Sequence, residues 1–177
     1  METIAFILSL FGTVCVCVPP LLKGKNMKLI LLLVFMSNAA VGVSYILTGA
    51  MTGGVSCLIG AAQAIINYFF ERKGKILPIW LIVVYAVTFT VANLVVFSGA
   101  VDVLAIVACL MYIGAICQKN GAKYRLWILV NTGLWIAYDI ISTSYGPLVT
   151  HGTLLAIAVF GMIVHDIIPK RRNTSSD

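Results

Sequence analysis

Ionisable side chains are scarce in this chain. Only 10% of its 177 residues are Asp, Glu, Lys or Arg, two are His, and 61% are hydrophobic. Soluble domains carry roughly 25% charged residues, so too little polar surface is present to cover a water-soluble globule. Acids are the rarer sign, six against twelve bases, for a formal net charge of +6. That excess does not read as a nucleic-acid surface, because the cations sit at the ends of apolar segments and form no single basic face. The five cysteines (Cys15, Cys17, Cys57, Cys109, Cys117) lie inside apolar stretches without metal-ligand spacing. An odd number so placed reads as small hydrophobes, which excludes a disulfide framework and a zinc site. Also missing are a Gly-rich phosphate loop and any nucleophile with a His and an acid at recognisable spacing. His151 and His165 are too far apart on one helix to share a metal. The expectation is a protein that is not an enzyme and carries no cofactor. The opening Met-Glu-Thr-Ile has no positive n-region, so the first apolar segment is expected to stay in the mature protein.

What is present is a strict placement of the cations. All twelve fall into four clusters: Lys23/Lys25/Lys28, Arg72/Lys73/Lys75, Lys119/Lys123/Arg125 and Lys170/Arg171/Arg172. A helix needs about 20 mostly apolar residues to cross the hydrocarbon core. Seven segments reach that length: 3–22, 28–48, 52–71, 76–97, 100–118, 124–144 and 147–168. The connections after the first, third, fifth and seventh carry every Lys and Arg, and those after the second, fourth and sixth carry none. Cations retained in short loops mark the cytoplasmic side, so seven spans place the N-terminus outside and the C-terminus in the cytoplasm. Lipid offers no partner for an open backbone, which leaves a helical bundle as the architecture. The expected fold class is thus an all-α polytopic membrane protein, a single domain over 1–168 with a polar cytoplasmic tail at 169–177. The partners expected are the lipid bilayer, a small-molecule substrate and further copies of the chain as a homo-oligomer, with no nucleic acid.

Sliding the chain on itself by 93 residues aligns Leu33 with Leu126, Asn38 with Asn131, Tyr45 with Tyr138 and Gly53 with Gly146. The loop order, basic then neutral, is the same in spans one to three and five to seven. With one span between them the two triplets enter the membrane from the same side. They read as parallel repeats, 1–73 and 100–168, joined by a linker helix at 76–97.

On these residues the chain resembles known proteins. Gly133-Leu-Trp-Ile-Ala-Tyr138, a short turn and Gly146-Pro147 are similar to the Trp-x-x-Tyr helix and following turn of SWEET and PQ-loop proteins. The stretch from Tyr124 to Asp166 and its counterpart in the first half resemble the bacterial YgjV-like family of that superfamily. The resemblance implies a SWEET-like 3+1+3 fold in the bacterial inner membrane and passage of a neutral or zwitterionic metabolite. Pro19-Pro20 stands where the signature Pro-Gln is expected in helix one, and Ile116-Cys117-Gln118 in helix five has no proline.

Polar side chains at membrane depth usually face the bundle interior or a wet cavity. Asn131, Trp135 and Tyr138 share one face of helix six, and Asn38 and Tyr45 lie on helix two. Gln63 and Asn67 form an i, i+4 pair on helix three. An amide beside aromatic rings suits a neutral polar ligand, so Asn38, Tyr45, Gln63, Asn131, Trp135 and Tyr138 are the candidate substrate-binding residues. The same amides also suit interhelical hydrogen bonding. Asp139 and His151 are ionisable residues clearly inside the spans and form a candidate proton or cation site between helices six and seven. Pro19 and Pro20 are the candidate hinge of an inner gate. Two functions follow: a small-molecule permease working by alternating access, or a membrane scaffold that keeps the fold and moves nothing. Convergence of Asn38, Gln63, Asn131 and Trp135 on one wet cavity separates them, as does Asn38 facing Asn131 across the repeat axis.

Overall fold

In the computed structural model the regular structure of the described residues, which are 2–21, 27–116 and 121–163, is all helical. The side chains at 19–21, 27, 115–116 and 121–125 also lie outside the description. Seven helices follow one another among the described residues: α1 Glu2–Leu21, α2 Met27–Leu47, α3 Met51–Arg72, α4 Ile79–Val95, α5 Asp102–Ile116, α6 Gly121–Ile141 and α7 Tyr145–Met162. Their order and number are those read from the apolar segments. The expected end of the last span at 168 and the tail at 169–177 lie outside the described residues. So do the side chains of most of the cation clusters; Lys28, Arg72, Lys73 and Lys75 remain.

α4 starts three residues later than expected because Pro78 precedes it with extended backbone, φ −74° and ψ 146°. Proline disfavours the α region in the residue before it, so the helix cannot begin at 76. Proline inside a first turn is harmless, and Pro147 sits there in α7. Lys28–Leu47, Met51–Arg72 and Tyr145–Met162 are long and apolar enough to cross a membrane, while Glu2–Val18, Ile79–Val95, Asp102–Gly114 and Leu126–Ile141 are apolar but shorter.

α4 shows how the faces divide. It exposes Trp80, Val83, Val87, Val91 and Leu94 and buries Leu81, Tyr85, Phe89 and Asn93. Both stripes follow the helical period, and the outer one is the more apolar. A surface of that kind suits lipid, with polar groups turned inward. α2 packs between α1 and α3, and α6 between α5 and α7. α7 also packs on α1, α3 meets α5, and α4 lies against α3 and α5.

The α2–α3 and α6–α7 turns share most of their backbone bonds. Ala50 N donates to Tyr45 O at 3.0 Å and Ser144 N to Asp139 O at 2.9 Å; Gly49 N donates to Ile46 O and Thr143 N to Ile140 O. The residue with positive φ is Gly49 (84°) in one turn and Thr143 (54°) in the other. Tyr45 therefore corresponds to Asp139, a separation of 94 residues. The offset of 93 suggested by the Asn, Tyr and Gly identities is corrected by one. One residue turns a helix by about 100°, so Asn38 and Asn131 are not equivalent positions. Ser37 is the counterpart of Asn131, and the two act alike. Ser37 Oγ donates to Gly12 O of α1 at 2.8 Å, and Asn131 Nδ2 donates to Ala108 O of α5 at 2.6 Å.

Candidate functional site

The inner faces of α2, α6 and α7 meet in a cluster built around Asp139. Its carboxylate accepts a hydrogen bond from the Tyr45 hydroxyl through one oxygen and lies 2.7 Å from His151 Nδ1 through the other. Asp139 and Tyr45 are fully buried. His151 stacks on Trp135 with ring centroids 5.4 Å apart and an interplanar angle of 13°. Tyr45 and Tyr138 meet edge to face at 6.0 Å, and Trp135 contacts both tyrosines. The packing follows from α6 periodicity: Trp135, Tyr138 and Asp139 at i, i+3 and i+4 share one face, and His151 of α7 reaches that face from its neighbour.

Gly53, in the first turn of α3, makes this convergence possible. A Cβ there would stand 3.0 Å from ring carbons of both Tyr45 and Tyr138. Its backbone N–H donates to the Tyr138 hydroxyl at 3.0 Å, so an otherwise unpaired amide of the helix start is satisfied by the aromatic cluster. A buried carboxylate bonded to an imidazole and a phenol can hold or pass a proton among three groups without water.

Beside this cluster a cavity of about 390 Å³ opens at the end of the bundle remote from Arg72. Thr48 to Met51 of the α2–α3 turn, Val96, Ser98, Gly99, Val101 and Asp102 around the α4–α5 loop, and Tyr138, Ile141 and Ser142 of α6 line it. Asp102 braces the rim, its carboxylate accepting from Ser98 N, Ser98 Oγ and Gly99 N at 2.7, 2.9 and 3.1 Å.

The candidate residues divide into four groups. Tyr45, Trp135, Tyr138, Asp139 and His151 come together in one cluster, and of these Tyr138 also lines the cavity. Asn131 is buried and bonded to the Ala108 carbonyl, while Asn38 is half-buried and packs over Gly60 of α3, whose added Cβ would lie 3.3 Å from Asn38 Nδ2. The two amides turn to different neighbours and do not face each other. Gln63 is 2% exposed and neither of its amide atoms has a hydrogen-bond partner. Pro19 and Pro20 fall in the last turns of α1, with side chains outside the described residues.

Sequence reasoning missed the hydroxyls that pin α1. Ser9 Oγ donates to Ser44 Oγ at 2.7 Å, Ser44 Oγ contacts Ala5 O, and Thr13 and Thr150 join hydroxyls at 2.8 Å. Small Ser and Thr residues are common in membrane helices and carry weak individual signals; their i, i+4 spacing at Ser9 and Thr13 was the available clue. It also missed Asn93, fully buried and accepting from Ser56 Oγ at 2.7 Å.

Residues 3–166 match the Imp-YgjV family, described as bacterial inner membrane protein, and the chain belongs to that family. It is thus a multi-pass protein of the bacterial inner membrane. No curated protein and no solved structure matches it.

Proposed function

We propose that this chain is a small-molecule permease of the SWEET/PQ-loop type, built 3+1+3, that moves a neutral or zwitterionic metabolite by alternating access. The observation that carries this reading is the open cavity whose wall, Tyr138, belongs to the buried Tyr45–Asp139–His151 cluster. Ionisable groups are costly inside a membrane and mark solute or proton pathways, and a cavity beside one gives such a group something to act on. The packing order supports the repeat: α2 sits between α1 and α3 as α6 sits between α5 and α7, and the α1–α7 contact has its counterpart in α5–α3. Parallel repeats place equivalent residues at equal depth around one axis, and Tyr45 and Asp139, equivalent by the turn geometry, touch. The cation placement supports an N-terminus outside, which makes the cavity the outer mouth. Binding and passage need no catalysis and no cofactor.

A second reading has its own observations: Asn38, Gln63, Asn131 and Trp135 do not converge on the cavity and Asn38 does not face Asn131, the outcome expected of a scaffold. Asn131 with Ala108 O, Ser56 with Asn93, and Asn67 with Tyr85 are satisfied interhelical pairs, as expected of a scaffold that moves nothing. Uptake of a panel of radiolabelled neutral and zwitterionic metabolites into proteoliposomes decides between them. The permease predicts uptake of at least one compound, lost in Tyr138→Ala. No uptake across the panel in folded protein supports the scaffold.

A further inference from the structure

One face of α3 carries a run of polar side chains that reach α4. Thr52 Oγ1 lies 3.4 Å from Val96 O, Ser56 Oγ donates to Asn93 Oδ1 at 2.7 Å, and the Tyr85 hydroxyl donates to Asn67 Oδ1 at 2.9 Å. Gln63 belongs to the same run: at 100° per residue, positions 52, 56, 63 and 67 fall within an arc of about 60°. Gln63 alone of the four is left open, with both amide atoms buried and unpartnered.

The register of the two helices explains why. Ser56 opposite Asn93 and Asn67 opposite Tyr85 set Gln63 level with positions 86 to 89 of α4. The inward residues at that level are Ala86 and Phe89, the latter 3% exposed, and neither side chain donates or accepts. An amide without partners in an apolar interior is unfavourable, and hydrocarbon supplies no water to relieve it.

We propose that Gln63 is the recognition point of a solute site in the seam between α3 and α4. The site takes a small neutral molecule that donates and accepts hydrogen bonds side by side, as a carboxamide or a hydroxyl does, with the Phe89 ring as its apolar wall. The assignment rests on the permease reading and deepens it. Val96 lines the cavity, and Thr52 at its carbonyl is the first polar step inward along α3, followed by Ser56 and then Gln63. α4, which packs on α3 and α5, is the element that parts to admit the solute.

The test places cysteine at Gln63 and, as a lipid-facing control, at Ile66, which is 37% exposed, in a chain freed of its native cysteines. A charged, water-soluble methanethiosulfonate is the probe. Gln63→Cys is expected to react about tenfold faster than Ile66→Cys or more, because parting of α4 admits the aqueous probe to the seam and the reacting thiolate forms while it is open. Equal background rates overturn the seam site. Gln63→Leu in the otherwise native chain gives a second measure. Removing two unpaired buried groups is expected to leave the unfolding temperature unchanged or higher, and a clear fall overturns the proposal. Wild-type uptake is scored separately. A reactive Gln63→Cys in a protein that moves no solute retires the permease and keeps the site. An unreactive one in a protein that transports retires the site and keeps the permease.

Discussion

Tyr45 and Asp139 donate and accept the same hydrogen bond and occupy corresponding places in two halves of one chain, 94 residues apart. In the proposed 3+1+3 arrangement, equivalent residues of the two repeats touch only near the axis that relates them. Two carboxylates meeting there would repel, and a phenol against a carboxylate does not. The first half supplies the donor and the second the acceptor. His151 then bonds the second carboxylate oxygen, so the asymmetry extends to α7, where the counterpart of His151 in α3 is Cys57.

Removing the two partners has unequal consequences. Tyr45→Phe leaves one buried oxygen of Asp139 unpaired while the other stays on His151, a loss of about 1–3 kcal/mol. Asp139→Ala strands the Tyr45 hydroxyl and the His151 imidazole together and is expected to cost about 3–5 kcal/mol, the range for breaking a buried pair. Thermal unfolding of purified protein ranks the two; similar small shifts would mean that the cluster is hydrated and loosely held.

Gly53 is placed where two tyrosine rings close on the backbone, so Gly53→Ala must push them apart. A cost of about 1–3 kcal/mol is expected, the usual range for overpacking, with a matching loss of the near-ultraviolet aromatic signal. Gly133→Ala is the control, since nothing lies within 4 Å of the added carbon; equal stability of the two variants contradicts the ring packing.

The helices were legible in the sequence because apolar length and cation placement are global signals that survive local error. α4 moved only where Pro78 denied it a start. The pairing of Asp139 with His151 was legible too, as two ionisable groups on neighbouring spans. Tyr45 as the third member was not, because the identities fixed a register one residue away from that of the turns. Positive φ at Thr143 leaves little mark in sequence; Gly49 announces itself and threonine does not. Gln63 was legible as a polar residue at depth, but its lack of partners depends on which α4 residues stand level with it.

Asn131 and Asn38 look alike in sequence and differ in the fold. Asn131→Ala removes a donor to the Ala108 carbonyl and is expected to cost about 0.6–2 kcal/mol, as interhelical hydrogen bonds in membranes do. Asn38→Ala removes a half-buried side chain over Gly60 and should cost less. Unfolding midpoints in detergent measure both, and the reverse order would restore the equivalence that the turn geometry denies.

The side on which the cavity opens rests on the cations alone, and labelling decides it. Gly99 lines the cavity and tolerates a side chain, Tyr145 is 67% exposed at the start of α7, and Lys73 is exposed just past the end of α3. In a cysteine-free chain within intact cells, an impermeant maleimide is expected to label cysteine at Gly99 and Tyr145 and to reach cysteine at Lys73 only after the membrane is opened. Because basic and neutral connections alternate, the three positions are linked: inverting one inverts all. Labelling at Lys73 in intact cells with protection at Gly99 would turn the bundle over. Tyr138 would then line an inner mouth, and the Thr52–Ser56–Gln63 run would lead outward from the cytoplasm. Mixed labelling within one helix pair would break the seven-span arrangement itself.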